Sequence, residues 1–238
     1  MHEYYRNNIL KLKKENEGYL RFVKVELEQN AGKPYSEVWE EIWGFYEKNL
    51  LEHFPYIGGD KVSGTKNLTG AYIFVAMGEV LKRYGVSVEG SARLMVLAYE
   101  RKYQAIPHPV RAVMRKIFSS PRLVTKMYRK KDRENTENAA KYPGSFETKT
   151  MQPPAEGCVF TYHTLVCPLS DFAKKYGYEE YMPYLCNLDY VMFGVLGVPL
   201  YRRHTCFANG DYCDFSLKSG VQPLPYWPPV FTQGKGYQ

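Results

Sequence analysis

The chain reads as an α+β protein: a helical N-terminal part packed on a small antiparallel sheet with two helices. Two observations predict this class. As far as about residue 131, apolar residues recur at helical spacing among charges, whereas SFETKTM (145–151) and CVFTYHTLV (158–166) are runs of β-branched and aromatic residues. All five cysteines, at 158, 167, 186, 206 and 213, lie beyond that change of pattern. Residues 1–138 are therefore expected to be helical, 139–220 to form an α+β cysteine-rich part, and 221–238 to be a Pro-rich tail. At 238 residues the chain can bury a real core without disulfide or metal staples.

In order, residues 3–28 carry Ile9, Leu10, Leu20, Phe22, Val23 and Val25 at helical spacing, and Gly32 and Pro34 stop the helix. Ser36 is the expected cap of a second helix, with Val38, Ile42, Phe45, Tyr46 and Leu50 on one face. PYIGGDKVSGTKNLTG (55–70) reads as a loop. Gly58-Gly59 could let backbone approach a ligand, but the spacing is not that of a phosphate loop. An apolar helix over 71–85 follows, capped by Gly85. Ser87 starts another, to about Gln104, with Leu94, Leu97 and Ala98 inward and Pro107 and Pro109 beyond its end. Residues 110–131 form a basic helical stretch broken at Pro121, and Pro143-Gly144 signals a turn.

After the strand at 158–166, Cys167-Pro168 opens a short helix, which leaves Cys167 at a helix N-terminus, where a thiol pKa is lowered. The next helix, about 178–196, carries Cys186-Asn-Leu-Asp189, and this i, i+3 spacing points both side chains to one side. LYRRHTCF (200–207) reads as a strand, Ala208 to Asp211 as a hairpin turn and YCDFSL (212–217) as its returning partner. Asp189 sits among Leu188, Tyr190, Val191, Met192 and Phe193, so it must be paired. Cys158 and Cys206 read as small buried hydrophobes, and on spacing alone His163 and His204 read as core histidines.

The charge is +7 and concentrates between Arg111 and Arg133. No nucleic-acid motif accompanies it, so a solvated helix face is the simpler reading. Such a field would also welcome an anionic small substrate. The first residues lack a secretory pattern and no run is long enough to span a membrane. The odd cysteine count favours a reducing cytoplasm. The expected partner is a small-molecule substrate, not nucleic acid or membrane, with self-association left open. Zinc held by Cys206, Cys213, His204 and Cys186 or Cys167 is a competing reading, weakened by the absence of any CxxC.

The Cys167-Pro helix start, CNLDY (186–190) and RRHTCFANGDYCDF (202–215) make the chain resemble the L-2-amino-thiazoline-4-carboxylic acid hydrolase family. The resemblance implies hydrolytic opening of a 2-aminothiazoline carboxylate ring to a carbamoyl-cysteine-type product; no metal or cofactor is expected. The expected catalytic residues are Cys186, Asp189, Cys213 and His163. Cys167, Arg202, Arg203, Thr205 and Asp214 are the expected substrate contacts. Cys186 would attack C2, helped by Asp189 or a histidine, and Asp189 would instead or also hold the amidinium. Arg202 or Arg203 would clamp the carboxylate; in a strand they face opposite sides, so only one can. The same cysteine–glycine–cysteine ending also resembles thiol-rich sensor domains related to 4-vinyl reductases, which bind small ligands and metal. Arg203 stands where those place an acidic ligand. An enzyme should show a low-pKa, accessible Cys186, and a binding module should not.

Overall fold

The computed structural model describes residues 1–208 and 210–229. The expected helix over 3–28 is three: α1 (Glu3–Asn7), α2 (Ile9–Leu20) and, after one 3-10 turn, α3 (Lys24–Ala31), closed by Gly32 at φ 64°. Helix α4 (Tyr35–Asn49) starts one residue before Ser36, which does not cap it. Pro34 is the capping residue, and the Tyr35 N–H donates to the Glu28 carboxylate at 2.9 Å, so α3 supplies the acceptor a cap would have given. Val38, Ile42, Tyr46 and Leu50 are fully buried as expected, beside Trp39 and Trp43.

Helix α5 (Ser63–Lys82) begins well inside the stretch read as a loop and ends at Arg83, before Gly85. Its early glycines serve packing, not turning. A Cβ on Gly64 would lie 2.6 Å from the Phe146 ring, and one on Gly70 would lie 3.1 Å from the Tyr19 hydroxyl. Fourteen of its residues are buried, so α5 is apolar nearly all round and forms the axis of the helical layer. The Gly58-Gly59 loop turns with positive φ against α1 and the long helix after Pro121. A Cβ on Gly58 would strike the Asn138 side chain, and Asn138 donates to the Ile57 carbonyl at 2.9 Å.

Helix α6 (Val88–Gln104) is capped by Ser87, whose hydroxyl accepts the Gly90 N–H at 3.1 Å. α7 (His108–Ser119) and α8 (Pro121–Lys141) form a hairpin at Ser120-Pro121. The strands β1 (Glu147–Thr150), β2 (Phe160–Val166), β3 (Leu200–Tyr201) and β4 (Cys213–Leu217) lie in the order β1-β2-β4-β3, all antiparallel. Between β2 and β3 come α9 (Pro168–Tyr176) and α10 (Met182–Leu196). The fold is thus α+β, a helical N-terminal part against a small antiparallel sheet with two helices. Asp132 on α8 fastens the edge strand by accepting from the Thr148 hydroxyl and the Thr150 N–H, at 2.6 and 2.7 Å.

The strand read over 200–207 stops at Tyr201. The Asp214 carboxylate accepts the N–H groups of Arg203 and His204, at 2.8 and 2.7 Å, which turns that backbone off the strand path. The turn expected at 208–211 includes Asn209, outside the described residues.

Helix α10 joins two cores. Leu185, Leu188 and Val191 pack into the helical layer, while Tyr190, Phe193 and Leu196 pack on the sheet. The start of the Pro-rich tail crosses α10 and α6: Asn187 donates to the Tyr226 carbonyl at 2.7 Å, and the Tyr226 hydroxyl donates to Glu100 at 2.5 Å. Residues 230–238 lie outside the described part.

Candidate active site

A cavity of about 370 Å³ lies on α10 where the helical layer meets the sheet. Side chains alternate across a sheet, and the inward set here is Tyr162 and Thr164 of β2 with Cys213 and Phe215 of β4. Cys186 and Asp189, three residues apart on α10, both line it, as do Cys167, Arg202 and Lys131. Ser63, Lys66 and Asn67, on the first turn of α5, line it and are exposed, so the cavity opens there.

Arg202 is 1% exposed, yet its Nη1 donates to Asp189 Oδ2 and to the Cys186 carbonyl, both at 3.0 Å. Its guanidinium lies 4.0 Å over the Phe215 ring. Aspartate was expected to need a partner, and Arg202 is that partner. Burial still pushes the Asp189 carboxyl above its ordinary range, against the opposing charges of Arg202 and Lys131. Lys131 makes no ion pair among the described residues; burial holds its ammonium below the ordinary lysine range. The cavity wall therefore carries the Arg202–Asp189 pair plus the cation Lys131, a setting for an anion, while Lys66 at the mouth is paired with Glu15 at 4.0 Å.

The thiols divide sharply. Burial pushes Cys186 well up and Cys167 up to about 12, so the helix N-terminus expected to acidify Cys167 loses to desolvation. Cys213 goes the other way, down to about 6. The Cys206 thiol beside it is the largest cause; burial opposes, and the Arg202 guanidinium and Cys206 N–H assist. That N–H donates to the Cys213 sulfur at 3.2 Å, while the Cys206 thiol is itself pushed up and reaches the Thr164 carbonyl at 3.5 Å. Of the thiols that line the cavity, Cys213 is drawn down, while Cys167 and Cys186 are pushed up.

Four expected site residues do not reach the cavity. His163 alternates with the inward Tyr162 and Thr164, pairs in register with Asp214 and stacks on Tyr212 at 4.3 Å. Asp214, between inward Cys213 and Phe215, is occupied by the Arg203 and His204 N–H groups. Arg203 is exposed, and of the two arginines Arg202 alone turns inward. Thr205 is buried, its hydroxyl accepting the Ala208 N–H at 3.1 Å. Nor does the Gly58-Gly59 loop line the cavity. Lys131 and Tyr128 do, although the basic run KMYRKKDR (126–133) had read as a solvated face; only α8's inward face reveals them. Among the described residues, no three His, Cys, Asp or Glu side chains are placed to share a metal ion.

Fold and site define an α+β protein built around one thiol- and cation-lined cavity. The chain belongs to the L-2-amino-thiazoline-4-carboxylic acid hydrolase family: residues 89–217, more than half its length, match that family's sequence model. The match runs from α6 to the end of β4 and so includes Lys131, Cys167, Cys186, Asp189, Arg202 and Cys213. No curated protein and no solved structure matches the chain.

Proposed function

We propose that the protein hydrolyses the ring of a small 2-aminothiazoline-4-carboxylate-like molecule, with Cys213 as nucleophile. The family supports a hydrolase, and the cavity's size falls in the range of small-molecule sites. The observation that carries the reading is a low-pKa thiol in the same cavity as the Arg202–Asp189 pair and Lys131.

In this mechanism the substrate enters as its amidinium, its carboxylate on the Lys131 ammonium and its amidinium N–H groups on Asp189. The Cys213 thiolate attacks C2, and the bond from C2 to the ring sulfur breaks, expelling sulfur as thiolate. An isothiouronium stays bonded to Cys213. Water adds to its carbon, the bond to Cys213 breaks with its electron pair on sulfur, and a carbonyl forms. Of the two protons water brings, one goes to the product thiolate. The other is released, balancing the proton with which the amidinium entered. Arg202 stabilises the Cys213 thiolate as nucleophile and again as leaving group.

The test is hydrolysis of 2-aminothiazoline-4-carboxylate, followed as new free thiol, in wild type, Cys213→Ala and Cys186→Ala. Activity abolished in Cys213→Ala and retained in Cys186→Ala is the expected result. Undiminished turnover in Cys213→Ala would remove Cys213 as nucleophile, and undiminished turnover in both variants would leave directly activated water. A wild type that binds this substrate without turnover would favour the ligand-binding module.

A further inference from the structure

We propose that the α7–α8 hairpin docks the protein on an anionic lipid surface. Residues 108–131 hold eight Lys and Arg and no Asp or Glu. The whole chain has 32 Lys and Arg against 25 Asp and Glu, so without this stretch 24 stand against 25. The positive charge of the molecule is thus a property of one hairpin. Arg115, Lys116, Arg122, Lys126, Arg129 and Lys130 are all exposed on it.

The same surface is apolar in stripes. Helix α7 has no fully buried residue and reaches the body through half-buried Met114 and Phe118. Val110 and Val113 on α7, and Leu123 and Met127 on α8, are between 42% and 59% exposed. They are four of the eight large hydrophobics exposed among the described residues, on about a tenth of the chain. The spacings i, i+3 and i, i+4 put each pair on one helix face, with Lys126 and Lys130 beside Met127.

Aliphatic stripes set among lysines and arginines match a headgroup–acyl boundary carrying anionic lipid. A nucleic-acid surface would offer exposed aromatic rings for stacking, and here Phe118 is half-buried and Tyr128 buried. A second copy of this face would set two cationic surfaces against each other. No helix among the described residues is long and apolar enough to cross a membrane, and peripheral docking needs none. The docking does not depend on the hydrolase reading, because none of its exposed cations and aliphatic side chains lines the cavity; Lys131 and Phe118 of the same hairpin do, and the docking does not use them.

The test is co-sedimentation of the whole protein with phosphatidylcholine vesicles, with and without phosphatidylglycerol, at low and physiological salt. Binding is expected only with phosphatidylglycerol and weaker in salt. The pair Lys126→Glu and Lys130→Glu should weaken it by about tenfold or more. Val113→Asp and Met127→Asp should each weaken it several-fold while leaving Tm and helical circular dichroism unchanged. No binding at low salt would overturn the proposal, as would binding indifferent to the two Asp variants. Oligonucleotide binding indifferent to those variants, without vesicle binding, would assign the face to nucleic acid. A wild-type dimer made monomeric by Val113→Asp would assign it to self-association.

Discussion

The backbone N–H of Cys206 donates at 3.2 Å to the sulfur of Cys213, which lines the cavity. Together with the neighbouring Cys206 thiol and the Arg202 guanidinium it draws Cys213 down to about 6. Alkylation by iodoacetamide, mapped by peptide mass spectrometry, should therefore label Cys213 with a rate that climbs as pH rises through about 6. Cys186, held up by burial, should stay unlabelled over the same range. Preferential labelling of Cys186 at neutral pH would restore it as the nucleophile.

The pH dependence of turnover has two limbs with assigned signs. Below about 6 Cys213 takes a proton and cannot attack, so kcat/KM should rise as pH increases through that value. Lys131, lowered by burial, loses its charge before an ordinary lysine would, so the alkaline limb should appear chiefly as a rising KM. Lys131→Met should raise KM about tenfold or more while kcat changes little. A Lys131→Met enzyme whose loss lies wholly in kcat would take the lysine away from the substrate carboxylate.

Arg202 and Asp189 are a pair whose separation should cost more than their joint removal. Arg202→Met leaves Asp189 facing the cavity without its ion partner and should lower stability by about 1–2 kcal/mol, less than for a fully buried pair because the Asp189 side chain is 38% exposed. Arg202→Met combined with Asp189→Leu should recover much of that loss. Urea denaturation of both variants reads the difference. A double variant no more stable than the single one would show that the stacking on Phe215, 4.0 Å away, outweighs the ion pair.

What the sequence showed and hid divides along the line between local and long-range causes. Cys186 and Asp189 share a helix face by spacing alone, and Ser87 caps α6 because its bond is made within one turn. The facing of β2 depends on its partners, so His163 could be read as inward until Tyr162 and Thr164 were seen to take that side. Strand β3 is cut short by the Asp214 carboxylate, a contact ten residues away that alternation of side chains cannot show. Lys131 was hidden among exposed lysines because its helix packs on the sheet at that one angle. The start of α5 was missed for another reason: its glycines look like loop residues and are close-packing ones.

That last distinction gives a stability prediction of opposite sign at two helical glycines. A Cβ on Gly78 of α5 would sit 2.4 Å from Cε1 of Tyr181. Tyr181 is fully buried, and its hydroxyl donates to Glu79 at 2.8 Å, so the ring cannot step aside without losing that bond. Gly78→Ala should destabilise by about 2 kcal/mol, a fall in Tm of roughly 4–8 °C. Gly18 of α2 has nothing within 4 Å of the same position, so Gly18→Ala gains only the helix preference of alanine. It should stabilise by about 0.5–1 kcal/mol. Thermal unfolding of both variants checks the contrast. A Gly78→Ala protein as stable as wild type would mean that α5 and Tyr181 are not packed at the distance described.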